Sequence, residues 1–289
     1  MPSSTSLSCL LWFSFSTLAV VAGLQLPSFS ASSLWRFIFP NQIRIVGGRP
    51  ALNEECPYQA LIRAYKGEVS YICGGSIISD QHILTAAHCL QGMDYMLVQV
   101  GSQSLKYQPG TPIFQVSPKD VILHKDYDQY LMKNDIAIIP LKYKIPYLLD
   151  YIKPVRLPKL SQREPDVFDD YQARISGWGK VHDSDTKAQA NLQTAKVTVM
   201  PFWQCRIYFS IMYYELDDSQ ICTLYQGSGT CNGDSGGGLV IEEEDGIETI
   251  IGIVSFGTQL CESGSPGVYT NVGAYLSWIS QHTGVHLRQ

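Results

Sequence analysis

The sequence predicts an all-β fold, a barrel or a sandwich, and three observations predict it. Short runs rich in β-branched and aromatic residues recur along the chain: YQALIRAY, GGSIIS, YMLVQVG, NDIAIIPL, ARISGW, AKVTVM, GLVIEE, ETIIGIVSF and PGVYTNV. Gly, Pro, Asn and Asp stand between them, as turns between short strands require. Helical periodicity is clear once, near the C-terminus. At 289 residues and 45% apolar content, the chain is long enough for one large domain or two small ones.

Taken in order, the chain opens on residues 1–35, which carry no Lys, Arg, Asp or Glu. Within them LSCLLWFSFSTLAVVAG, residues 7–23, is apolar with small residues at its end. It reads as a secretory signal cleaved near Ala22 or Gly23, although no basic residue precedes it. An uncleaved membrane anchor is the alternative, but the run is short for a span and serines interrupt it. Secretion makes the cysteines interpretable. Eight are present, and removal of Cys9 with the signal leaves seven, so at least one stays unpaired or pairs between chains. No Cys-x-x-Cys spacing suggests zinc, and no Asn-x-Ser/Thr sequon occurs. The formal net charge of −5 and the lack of a Lys/Arg cluster argue against a nucleic-acid partner.

The middle stretch AIIPLKYKIPYLLDYIKPVRLP holds Pro140, Pro146, Pro154 and Pro158 and reads as a connector between two halves. The acidic run EEED, residues 242–245, is followed by Gly246 and reads as a solvated hairpin loop. In TNVGAYLSWISQHTG, Tyr275, Trp278, Ile279 and His282 fall on one helical face, with Gly284 as the C-terminal stop.

The glycine run TCNGDSGGGL, residues 230–239, surrounds Ser235 and Asp234. By itself it is either a flexible surface turn or a backbone held in an unusual shape with N–H groups facing a ligand. Two further fragments decide between these. LTAAHCL places His88 beside Cys89, and KNDIAII places Asp135 before an apolar strand. In the order His, Asp, Ser, and with RIVGG, CGGSII, SGWG, GIVSFG and PGVYTNV in sequence, the chain from Ile45 onward resembles the chymotrypsin-like serine proteases.

That resemblance implies two antiparallel six-stranded β-barrels, about 45–150 and 151–289, with the active site in the cleft between them and a C-terminal helix. It divides the chain into a signal (1–23), an activation propeptide (24–44) and a protease domain (45–289). Ser235 is the implied nucleophile, His88 the general base and then acid, and Asp135 the group that fixes the imidazole tautomer. The N–H groups of Gly233 and Ser235 are the implied oxyanion hole, which a side chain at Gly233 would obstruct. NQIRIVGG resembles a zymogen junction cleaved after Arg44, whose new Ile45 ammonium turns inward to pair with Asp234. The alternative is an ordinary exposed Arg44 and a capped turn at Asp234. Pairing raises the pKa of the Ile45 amine, so activity is expected to fall at alkaline pH as that amine deprotonates.

The resemblance also implies disulfides Cys73–Cys89, Cys205–Cys222 and Cys231–Cys261. A further bridge of many relatives is replaced here by Ala173 and Ile241. Cys56 is left without a mate, either as a buried thiol, which we favour, or as an intermolecular link. Gly238 stands where relatives usually have proline, which suggests a looser strand, and Tyr71 stands where many have histidine. The stretch 101–119, which corresponds to a calcium loop in some relatives, has no Asp or Glu, so no metal is expected. No cofactor is expected either.

For specificity, the implied pocket residues are Gly229 at the base, with Thr230, Ser255, Phe256, Gly257 and Gly267. Gly229 stands where trypsin-like enzymes carry aspartate. An uncharged, wide slot favours burial of Phe, Tyr, Leu or Met, worth roughly 1.5–3 kcal/mol. Thr230 narrows the slot and Glu262 adds charge near it, so elastase-like or trypsin-like preferences stay open. Ser255 to Gly257 are expected to pair with the substrate backbone as an added strand. The expected partners are protein or peptide substrates, an activating protease and protein inhibitors. The protein is expected to be a secreted extracellular monomer with no nucleic-acid or membrane partner. The competing reading is a catalytically silent homologue that acts as a binding or regulatory module.

Overall fold

The structure, a computed structural model, describes residues 46–147, 151–258 and 260–289. The expectations for the leader, for Arg44 and for Ile45 lie outside the described residues. Chain order opens with β1 (Arg49–Pro50), a two-residue strand that joins the second of two antiparallel sheets.

The first sheet is built from β2 (Gln59–Lys66), β3 (Val69–Ser79), β4 (His82–Thr85), β5 (Tyr95–Val100), β6 (Ile113–Val116), β7 (Ile122–Leu123) and β8 (Ala137–Pro140). Its order is β6-β5-β2-β3-β4-β8-β7. Ile62 pairs with Cys73 on one side and Val98 on the other. Ala60, Ile62 and Ala64 alternate along β2 and are fully buried in the core shared with Ile77, Ile83, Val98 and Ile138.

The second sheet holds β9 (Gln172–Gly177), β10 (Gln193–Met200), β11 (Gln220–Leu224), β12 (Gly238–Glu242), β13 (Glu248–Phe256) and β14 (Gly267–Asn271). Pairing of β9 with β10 closes these six into a ring, and β1 adds to β10 beside it. The expected barrel architecture is present. Each sheet has seven strands among the described residues rather than six, because the two-residue β1 and β7 add to the edges. Ala173 and Ile241, where many relatives carry a disulfide, are both buried in the core of this second sheet.

The proline-rich stretch opens as β8, Ala137–Pro140, inside the first sheet rather than as linker, and its later part bridges the two sheets. Val155 N donates to Ile77 O of the first sheet (2.9 Å), and Ile250 N of the second donates to Arg156 O (2.9 Å). The EEED run turns the β12–β13 hairpin, with Glu242, Glu244 and Asp245 exposed as expected, but it is tied down by ion pairs. Glu243 accepts from Thr249 and Arg288 (both 2.7 Å), and Asp245 accepts from Arg156 (2.6 Å). These arginines lie 89 and 45 residues away in sequence, so no local pattern announces them. Nor is the chain slack at Gly238. It is buried at the start of β12, and a Cβ there would meet Ser76 Oγ at 2.7 Å.

Among the described residues, two α-helices flank the sheets. The unexpected one, α1 (Phe202–Ile211), is rich in aromatic and β-branched residues that favour helix weakly. Tertiary links hold it: Cys205 bonds Cys222 of β11, and Phe202 N donates to Asp169 Oδ1 (3.0 Å). The C-terminal α2 (Leu276–Thr283) buries Leu276 and Ile279. It stops at Gly284, whose φ of 70° and N–H to Ser280 O (2.8 Å) make a left-handed cap. No described helix is long and apolar enough to cross a membrane.

Candidate active site

His88 sits in the single helical turn Ala87–Cys89 that follows β4, and the Cys73–Cys89 disulfide pins that turn to β3. Asp135 precedes β8 and is fully buried. Its Oδ1 accepts from His88 N (2.9 Å), and its Oδ2 lies 2.8 Å from His88 Nδ1. A carboxylate at that distance fixes the tautomer with the proton on Nδ1, which leaves Nε2 as an acceptor. Asp135 has two further partners. Ser255 Oγ donates to Oδ2 (2.6 Å), and Thr270 Oγ1 donates to the backbone oxygen (2.8 Å). Burial opposes the charge of Asp135, but the donors on His88 and Ser255 outweigh it and hold its pKa below the usual carboxylate range.

The β11–β12 loop carries Ser235. Cys231–Cys261 ties the loop to the segment that follows β13. Gly74 N donates to Ser235 O (2.7 Å), and Cys89 Sγ, next in chain to His88, lies 3.6 Å from the same oxygen. Ser235 is thereby brought to the His88 turn. Its hydroxyl has no hydrogen-bond partner among the described residues. Such contacts are often open before substrate binds.

The glycines around Ser235 are structural necessities. Gly236 has φ of 79°, and a Cβ there would meet Thr85 Oγ1 at 2.2 Å. Gly233 has φ of 105°, and a Cβ there would meet Gly179 Cα at 2.9 Å. The N–H groups of Asp234, Gly236 and Gly237 donate inward, to the oxygens of Cys231, Val254 and Asp234. Those of Gly233 and Ser235 donate to no internal acceptor among the described residues.

Asp234 points the other way. It is 1% exposed, and Gly179 N (2.7 Å) and Cys231 N (3.0 Å) donate to its carboxylate. Cβ atoms on Gly177 and Gly179 would stand 2.1 and 2.4 Å from its oxygens, so the cradle admits only glycine. No cation among the described residues reaches it. Burial exceeds the two backbone donors and pushes its pKa up to about 6.

Beside Ser235 lies a cavity of about 310 Å³, and no charged residue is among its described lining. All six expected pocket residues line it: Gly229, Thr230, Ser255, Phe256, Gly257 and Gly267. Tyr225 lies against Gly229, 3.5 Å from where a Cβ would be. Glu262 is not in the lining. Its carboxylate is taken by Asp183 N (2.8 Å) and His182 Nδ1 (3.3 Å). Sequence reasoning placed Ser255 in the wall but missed its hydrogen bond to Asp135, which depends on a contact across 120 residues.

The unpaired Cys56 is buried, and burial raises its thiol pKa. The two groups of metal-type donors among the described residues are Cys73–His88–Cys89 and Asp183–Cys231–Cys261. Each includes both sulfurs of a disulfide, which cannot bind as thiolates.

Comparison with known proteins gives the kinship. The family model described as Trypsin matches residues 45–279. Chymotrypsin of Phaedon cochleariae is 32% identical over 243 residues, 83% of each chain. Brachyurin of Leptuca pugilator is 34% identical over 243 residues, 83% of this chain and 99% of that protein. The solved structure of HL collagenase covers 84% of this chain and 100% of its own, with a TM-score of 0.72 and 30% identity. Two barrel-like sheets, the buried His–Asp contact at their junction and this kinship agree: the chain belongs to the trypsin family and is a serine endopeptidase acting on protein substrates.

Proposed function

We propose that His88, Asp135 and Ser235 are the catalytic triad of a secreted endopeptidase made as a zymogen, with a preference for large apolar side chains. The observation that carries this reading is Asp135, fully buried, with one oxygen on His88 N and the other on His88 Nδ1. Held so, Nε2 takes the Ser235 proton as Oγ attacks the substrate carbonyl. The oxyanion settles on the N–H groups of Gly233 and Ser235. His88 then gives its proton to the leaving amine, and water attacks the acyl-enzyme by the same steps reversed.

The uncharged cavity with Gly229 at its base supports burial of an aromatic or large aliphatic side chain. Three disulfides fit an oxidising, extracellular compartment. Activation follows cleavage after Arg44. Two features support it: a buried Asp234 with no cation among the described residues, and Val46, buried beside the pocket, whose oxygen accepts from Gly229 N (3.0 Å). The Ile45 ammonium supplies the missing charge. An activating protease, protein inhibitors and a monomeric state belong to the same reading.

The test is labelling with a fluorophosphonate after cleavage at Arg44. Modification of Ser235 is expected, and its absence would favour a silent binding module. Peptides varied at the cleaved position should be cut after Phe, Tyr, Leu or Met. Faster cleavage after Arg or Lys would overturn the apolar preference. An enzyme whose Ile45 amine is acetylated should lose activity, and retention would sink the activation scheme.

A further inference from the structure

The segment that leads into Asp135 is held in a conformation its own sequence does not favour. Met132 and Asn134 have φ of 47° and 54°, the left-handed region that side chains other than glycine enter at a cost. The segment closes on itself through mutual bonds between Asp128 and Lys133, at 3.0 and 3.2 Å. Those bonds do not reach Asp135. Asn134 Nδ2 adds a local bond to Asp126 O (2.8 Å), and further holds on the segment come from the flanks of the second sheet. Tyr214 Oη donates to Leu131 O, and Tyr275 Oη donates to Asn134 Oδ1 (2.8 Å). Lys133 Nζ lies 3.0 Å from Asp217 Oδ2.

Asp217 is built to receive that lysine. Ser219 donates to its Oδ1 from both N (3.0 Å) and Oγ, and Gln220 N donates to its backbone oxygen (3.1 Å). Oδ2 is left to Lys133. Gln220 opens β11, where it pairs with Thr270 of β14, the residue that grips Asp135 O. One rigid strand pair therefore holds both Asp135 and the anchor of Lys133, two residues earlier.

We propose that the Lys133–Asp217 ion pair is a positioning device for Asp135, a charged strap from the second barrel that keeps the left-handed 132–134 segment, and hence the carboxylate, in register with His88. The proposal rests on Asp135 being the orienting carboxylate of the triad. Lys133 and Asp217 touch no reacting atom. The titratable and charged groups facing the strap are Tyr214, Tyr275 and Asp128, with Asp135 behind them. Burial opposes the charge of Asp217, but Ser219 and Lys133 outweigh it and keep its pKa below the usual range. Asp217 thus stays charged through the working range of a His-based site.

The experiment compares Lys133→Met, Asp217→Asn and the exchanged pair Lys133→Asp/Asp217→Lys in the full chain activated at Arg44. An exposed pair has a modest effect, so kcat in each single variant should fall roughly five-fold with KM unchanged. With Asp135 less well aligned, the imidazolium loses stabilisation, and the acid limb of the pH–kcat/KM profile should move to lower pH. A purely structural contact would leave that limb in place. The exchanged pair should recover most of kcat. Unchanged kcat and acid limb in folded single variants would overturn the proposal, as would a loss confined to KM or no recovery by exchange. Asp135→Asn separates the two levels. If it too retains activity, the triad assignment fails; if it is inactive while the strap variants are normal, only the strap fails.

Discussion

Asp135 and Asp234 are two carboxylates buried to the same degree, at 0% and 1% exposure, on either side of the Ser235 loop. Asp135 receives His88 through two donors and the Ser255 hydroxyl, and its pKa is lowered. Asp234 receives two backbone N–H groups, and its pKa is pushed up to about 6. Burial is common to both, so the difference lies in what faces the charge. The niche of Asp135 is complete. That of Asp234 has donors but no cation among the described residues, which is what the proposed switch set by a newly formed ammonium requires.

The largest expected effect strikes the finished niche. Asp135→Asn should lower kcat by about 10⁴-fold while the fold is kept, because an amide no longer dictates the His88 tautomer. Steady-state kinetics with circular dichroism check this, and a loss under ten-fold would break the comparison. The unfinished niche should respond next. Asp234→Asn in the cleaved enzyme should cost about 10²–10³-fold in kcat, the loss expected when an oxyanion donor is no longer held in place.

The same substitution should act oppositely on the uncleaved chain. A carboxyl whose folded pKa exceeds its unfolded value of about 4 holds its proton more tightly when folded. The stability it contributes is greatest below pH 4 and falls as pH rises through 6. Urea unfolding of an Arg44→Gln chain should therefore show a pH-dependent deficit, roughly 3 kcal/mol at pH 8, that Asp234→Asn removes. No gain from the substitution would mean that Asp234 already has a counter-charge before cleavage. The smallest effect concerns the third donor on Asp135. Ser255→Ala should reduce kcat by roughly ten-fold, the scale of one hydrogen bond to a charged group. A larger loss would make Ser255 as important to Asp135 as His88 is.

Much of this site is legible in the sequence because each proposed reacting group stands in a short, chemically specific surround. Ser235 lies among glycines that the packing against Thr85 and Gly179 demands. His88 stands beside a cysteine that bonds to β3. Strands such as ETIIGIVSF declare themselves by composition, and the cavity wall follows from the end of that strand. Helix α1 escaped sequence reasoning because its residues favour helix weakly and a disulfide holds it in place. The partners of Glu243, Glu262 and Asp217 escaped it because each lies in a distant segment or a loop without periodicity.

By itself the sequence determined the fold class, the family and the residue types able to react, since periodicity and short motifs are local properties of the chain. Tertiary structure decided the state of each charge. Whether a carboxylate is lowered or raised depends on which donors and cations fold against it, and those come from segments 47, 55 or 120 residues away. Desolvation and hydrogen bonding act over a few ångströms of space, and only the folded sheets bring those segments within that range.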